Sequence, residues 1–121
     1  MARILIVDDD QTIGLMLKDI LEFNGHEVKV SQEPRRTKEI LVEYDAELIL
    51  LDKLISGVDG TDVCADLKRD DRFEQIPVIM MSALHNVNDI CKEAGATEFL
   101  AKPFDMSSLT DLIDRVLSTK A

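Results

Sequence analysis

Residues 48–52 read Leu48-Ile49-Leu50-Leu51-Asp52, four apolar side chains running directly into one carboxylate. A short unbroken apolar run bounded by polar segments predicts a strand buried on both faces of a sheet. Asp52 falls where that strand emerges. In open α/β sheets the crevice beyond the carboxyl ends of the strands is where ligands gather. By itself the run leaves two readings open, because Asp is also a common residue for opening a turn.

Working outward, Arg3-Ile4-Leu5-Ile6-Val7 is a second buried-strand run and ends in Asp8-Asp9-Asp10. A helix with Ile13, Met16, Leu17, Ile20 and Leu21 on one face follows, with Asp10 as N-cap and Gly25 as a left-handed stop. Glu27 to Val30 alternates and predicts an edge strand. Pro34 suits the first turn of a second helix, which carries Ile40 and Leu41 and ends near Tyr44. After the central run, Lys53 to Gly60 reads as a loop and Asp59 as the cap of a third helix bearing Val63, Cys64 and Leu67. Pro77-Val78-Ile79-Met80-Met81 is a further buried strand and ends at Ser82. A fourth helix carries Val87, Ile90, Cys91 and Ala94 and stops at Gly95. Glu98-Phe99-Leu100-Ala101 is the last strand, closed by Lys102-Pro103, and the final helix carries Leu109, Leu112, Ile113, Val116 and Leu117. Strand and helix thus alternate five times. That pattern predicts an α/β fold, a doubly wound parallel sheet with helices on both faces and right-handed crossovers. The strands without polar alternation, first, third and fourth, belong in its centre.

In such a sheet the strand ends share one side. Asp8 and Asp9 follow the first strand, Asp52 the third, Ser82 the fourth and Lys102 the fifth. Carboxylates about 4 Å apart repel by several kcal/mol at intermediate dielectric. Such a cluster either raises a pKa or recruits a cation. Oxygen ligands without Cys or His select a hard divalent ion, and few protein ligands with room for water favour Mg2+. A carboxylate can also be a nucleophile toward phosphorus, with Lys102 neutralising a phosphoryl oxygen and the Ser82 hydroxyl donating to another.

The totals agree. A chain of 121 residues suits one domain over 1–121. A net charge of −10 argues against direct nucleic-acid binding and against docking on anionic lipid. Ile4 to Val7 is too short for a signal-peptide core or a membrane span, so the expected location is cytoplasmic. Cys64 and Cys91 fall on helical apolar stripes and are expected to be small buried hydrophobes.

Asp8-Asp9, Asp52, Ser82 and Lys102-Pro103-Phe104, in this order on five β/α units, resemble the response-regulator receiver domain of two-component signalling, the CheY-like family. The resemblance covers essentially the whole chain. It implies the flavodoxin-like strand order 2-1-3-4-5. It implies that Asp52 accepts a phosphoryl group from a sensor histidine kinase or phosphotransfer protein. Asp9, Asp52 and the Leu54 backbone carbonyl would hold Mg2+, with Asp8 acting through water, and the Lys102–Pro103 bond would be cis. Ser82 and Phe99 match the switch pair. An output partner is expected on the surface from the fourth helix through the fifth strand to the last helix. Leu54 and Leu84 stand at positions that flank the path of a hydrolytic water and are expected to tune the lifetime of the phosphorylated state. The protein would be a signalling domain that assists its own phosphorylation and dephosphorylation rather than an enzyme.

Three departures stand out. Ser56 replaces a usual proline, which would loosen its loop. Lys53 puts an unusual charge directly after Asp52, within reach of a phosphoryl oxygen or a partner. Phe99 lacks the hydroxyl of a tyrosine. His85 is read as an exposed loop residue, and Asp111, Asp114 and Arg115 as a solvated face. Rival readings are an Mg2+-dependent phosphohydrolase with an aspartyl nucleophile, a nucleotide- or flavin-binding module, and a degenerate receiver serving only as an interaction surface. The first wants an acid where Leu54 stands. The second wants a glycine- or hydroxyl-rich loop where Asp8-Asp9-Asp10 stands. The third is disfavoured by the intact acid set. The chain stops at Ala121 directly after the last helix, so the expectation is a stand-alone regulator or a piece of a longer protein.

Overall fold

The computed structural model describes residues 2–55, 57–84 and 86–118. Ser56, His85 and Ala121, on which three expectations rest, lie outside them. Five strands alternate with five helices: β1 (Arg3–Val7), α1 (Gln11–Phe23), β2 (Glu27–Ser31), α2 (Thr37–Glu43), β3 (Leu48–Asp52), α3 (Gly60–Lys68), β4 (Val78–Ser82), α4 (Asn88–Glu93), β5 (Glu98–Ala101) and α5 (Met106–Ser118). All pairings among the five are parallel, in the order β2-β1-β3-β4-β5. The three unbroken apolar runs occupy the centre, as expected, and the alternating segment is an edge.

Strand periodicity sorts the core into two layers. Leu5, Val7, Ile49, Leu51, Val78 and Met80 face one way and pack with Leu41, Cys64, Leu67 and Cys91 from α2, α3 and α4. Ile4, Ile6, Leu48, Leu50, Ile79 and Met81 face the other way and pack with Leu17 and Leu21 of α1 and Leu109, Leu112 and Ile113 of α5. Every residue from Leu48 to Leu51 has no accessible surface. Each such side chain contributes roughly 1.5–3 kcal/mol of burial free energy, so the sheet interior dominates stability. Both cysteines are buried and unpaired.

The helix signals hold at the caps. Asp10 accepts a hydrogen bond from the Ile13 amide at 3.1 Å, and Gly25 takes φ +92°. Three expectations need correction. Pro34 does not open α2; it starts a 3-10 turn over Pro34–Arg36, and α2 begins at Thr37. Met16 and Ile90 lie outside the buried stripes and are each 48% exposed, because α1 and α4 meet the sheet along a narrower line than their apolar spacing suggests. The loop from Lys53 to Gly60 is not irregular throughout: Leu54–Ile55 and Val58–Asp59 form a short antiparallel ladder.

Candidate phosphoacceptor and metal site

β1 and β3 are adjacent and in register, with Val7 opposite Leu51, so the residues that follow them emerge side by side. Asp8, Asp9 and Asp52 each offer a carboxylate oxygen, and these lie within 4.8 Å of one another. Lys102 reaches in from the end of β5. Its Nζ stands 3.3 Å from Asp8 Oδ2 and 3.3 Å from Asp52 Oδ1. The Lys102–Pro103 peptide bond is cis. The Asp8 side chain is fully buried and also accepts the Asp10 amide at 3.0 Å. A buried carboxylate held by an ammonium and a backbone N–H has its charge balanced and its rotamer fixed.

Asp52 is placed differently. Its Oδ1 accepts the Lys53 amide at 3.1 Å. Burial, followed by the charge of Asp8, holds its carboxyl above the usual aspartate value, and Lys102 offsets only part of that rise. Three carboxylates converge here, and Lys102 reaches two of them, Asp8 and Asp52. The donor set contains oxygen alone, which fits a hard divalent cation.

The remaining expected residues are distributed around this cluster. Ser82 ends β4 and is buried; its Oγ accepts the Leu84 amide at 2.9 Å. Phe99 is half-buried against the α2–α3–α4 core layer. Leu54 and Leu84 are 58% and 53% exposed, so no apolar cover over the site is formed by them. The reason is local: in the two-residue ladder Ile55 turns fully into the core, which leaves its neighbour Leu54 outward. Lys53 points neither at the carboxylate cluster nor into solvent. Its Nζ lies 3.2 Å and 3.3 Å from the two Asp59 carboxylate oxygens. Asp59 does cap α3, accepting the Thr61 amide at 2.9 Å and the Thr61 hydroxyl at 2.7 Å.

Sequence reasoning did not find the Lys53–Asp59 pair. The signal for it was a lysine six positions before an acidic helix cap, across one glycine, Gly57. Among the described residues, no helix is long and apolar enough to cross a membrane.

Comparison with known proteins identifies the family. The family model described as "Response regulator receiver domain" matches residues 4–114. The chain is 37% identical over 111 residues to the DNA-binding dual master transcriptional regulator RpaA of Synechocystis, covering 90% of this chain and 46% of that one. It is 32% identical over 121 residues to sporulation initiation phosphotransferase F of Bacillus subtilis, covering 98% and 96%. The solved signal receiver domain of a signal transduction histidine kinase from Syntrophus aciditrophicus superposes with a TM-score of 0.90 at 32% identity, covering 98% of this chain and 92% of that one. The chain spans about half the length of the transcriptional regulators it matches. It belongs to the response-regulator receiver family of two-component signalling.

Proposed function

We propose that this chain is a phosphorylation switch in which Asp52 accepts a phosphoryl group from a histidine kinase or phosphotransfer protein. The observation that carries this reading is the convergence of Asp8, Asp9 and Asp52 within 4.8 Å, with Lys102 Nζ 3.3 Å from both Asp8 and Asp52. A carboxylate oxygen of Asp52 attacks phosphorus, the bond from phosphorus to the donor's imidazole nitrogen breaks, and the imidazole leaves with that electron pair. Lys102 lies where it would neutralise a phosphoryl oxygen. Asp8, Asp9, Asp52 and the Leu54 carbonyl would hold Mg2+, with Asp8 acting through water. The bound ion supplies charge stabilisation to the transferring phosphoryl oxygens.

Readout runs through Ser82 and Phe99. The Ser82 hydroxyl, acceptor to Leu84 in this structure, turns to donate to the phosphoryl group, and Phe99 follows inward. The output surface is α4–β5–α5. There Glu98 of β5 stands 3.5 Å from Lys92 of α4 and 3.7 Å from Arg115 of α5, so that charges from three elements share one face.

The test is incubation with a small acyl phosphate, with and without Mg2+, read by intact mass. The expected result is one added phosphoryl group that requires Mg2+ and is absent in Asp52→Asn. An Asp52→Asn variant that gains the same group with the same Mg2+ dependence would overturn the assignment.

A further inference from the structure

Asp52 is followed by a lysine whose charge is turned away from the carboxylate cluster, and the surrounding loop shows what that lysine holds. Residue 54 lies between two fixed points. On one side, the Lys53 carbonyl accepts a hydrogen bond from the Gly60 amide. On the other, Ile55 is fully buried. The ladder sets Leu54 opposite Asp59 and Ile55 opposite Val58. The Lys53–Asp59 ion pair spans this ladder diagonally; its lysine is only 13% exposed, whereas its aspartate is 43% exposed. Partial burial of an ion pair that is also tied to a helix cap makes it less screened than an ordinary surface pair. Gly60 completes the closure: a Cβ built there would overlap the Asp52 carbonyl oxygen and come within 3.0 Å of Lys53 Cα. The start of α3 is therefore packed directly on the backbone of the phosphoacceptor. The exposed Leu54 side chain adds no restraint, so the backbone at residue 54 depends on its neighbours.

We propose that Lys53 is a positioning residue of the magnesium site: its ion pair with Asp59 clasps the loop so that the Leu54 carbonyl is held at the cation. This rests on the reading of Asp8, Asp9, Asp52 and Leu54 as the metal site. Charge makes the idea testable, because the two effects have opposite signs. Removing a cation near a divalent ion strengthens binding of that ion by Coulomb's law. Loss of an orienting partner weakens it, by roughly tenfold in comparable metal sites.

The experiment is calorimetric titration of the full chain with MgCl2, together with thermal melts without the ion. Lys53→Met keeps the length of the stem and removes the charge; it is expected to weaken Mg2+ about tenfold. Lys53→Arg restores the pair and should bind within about twofold of the wild type. Lys53→Leu, which cannot donate to Asp59, stands in if the methionine variant does not fold, and should likewise weaken the ion about tenfold. Magnesium bound as tightly as in the wild type, or more tightly, by Lys53→Met or its stand-in overturns the proposal even where the melting point falls, because the pair would then serve α3 alone. A wild type that binds no Mg2+ overturns the site reading and this proposal together.

Discussion

Two loops leave the carboxyl ends of neighbouring strands, β3 and β4, and are built on opposite terms. The loop after β3 is closed by a backbone ladder, a fully buried Ile55, an ion pair and a glycine without room for a Cβ. The loop after β4 has, among its described residues, a single side-chain hydrogen bond, from the Leu84 amide to Ser82 Oγ. It carries Asn86 at φ +60° and leads into a helix of six residues with no side-chain cap. Few constraints mark segments of low local stability, which is where switching elements are drawn from. On the proposed reading the contrast separates two tasks: the first loop would hold the geometry for chemistry, and the second, with one side-chain hydrogen bond among its described residues, would be the one to move.

The largest expected effect is at the rigid loop. Gly60→Ala should destabilise the fold by about 3 kcal/mol, since overpacking against backbone outweighs the roughly 1 kcal/mol that alanine gains over glycine in a helix. Denaturant unfolding measures it. A variant as stable as the wild type would mean that the α3 start can back away from Asp52, and the contrast would fail.

Next is Ser82→Ala on the other loop. It should accept phosphate on Asp52 and lose most of the amide chemical-shift change around Phe99 and α4. Full shifts in the phosphorylated alanine variant would remove Ser82 from the readout.

The charge stored between the loops gives a third measurement. The carboxyl of Asp52 titrates above its ordinary value in the fold, so between about pH 4, the unfolded value, and its raised folded value the folded state holds more protons than the unfolded one. Stability therefore falls as pH rises through that window and stays reduced at neutral pH. Asp52→Asn should raise the Mg2+-free melting point by a few degrees at pH 7 and lose that gain below about pH 4. Saturating Mg2+ should raise the wild-type midpoint by mass action and narrow the gap. Equal midpoints at both pH values would show that the site stores no unfavourable charge.

At Asn86 the effect is smaller. Alanine in a left-handed conformation costs about 1 kcal/mol, while glycine adopts it freely, so Asn86→Ala should destabilise and Asn86→Gly should not. Chemical denaturation of the pair decides it, and identical stabilities would mean that this conformation is not held in solution.

The contrast between the loops also marks how far the sequence could be read. Buried strands announce themselves by composition, so the Leu48–Leu51 run was enough to centre β3 and to place Asp52 at its end. Caps announce themselves by residue type, and Asp10 and Asp59 behave as their chemistry predicts. The site was legible because each of its groups follows a legible strand. What the sequence concealed is what depends on distance rather than type. A two-residue ladder has no periodicity to detect, and Lys53 could be seen as an unusual charge but not paired with Asp59. Helix spacing likewise marked Met16 and Ile90 as apolar without showing how little of each helix the sheet covers.

The smallest expected effect is on the lifetime of the phosphorylated state. Loss of the phosphoryl group needs a water in line with the phosphorus–oxygen bond, and orienting that water is a large part of the catalysis. Leu54 and Leu84 have no group that can accept or donate a hydrogen bond to it. Both side chains are more than half exposed, 58% and 53%, so they do not exclude solvent, and the missing hydrogen bond is the cause. The two loops should then contribute unequally. Leu54 sits on the loop with the Lys53–Asp59 pair, whereas Leu84 sits on the loop that, on the proposed reading, would rearrange with Ser82. Leu54→Asn should shorten the lifetime by about threefold, equivalent to ~0.7 kcal/mol of barrier. Adding Leu84→Glu should shorten it further, but by less than the first step. Decay of the phosphorylated mass at fixed Mg2+ measures both steps. Equal decay in the wild type and both variants would show that neither position governs the water, and a larger second step would show that the rearranged loop, not the clasped one, sets the lifetime.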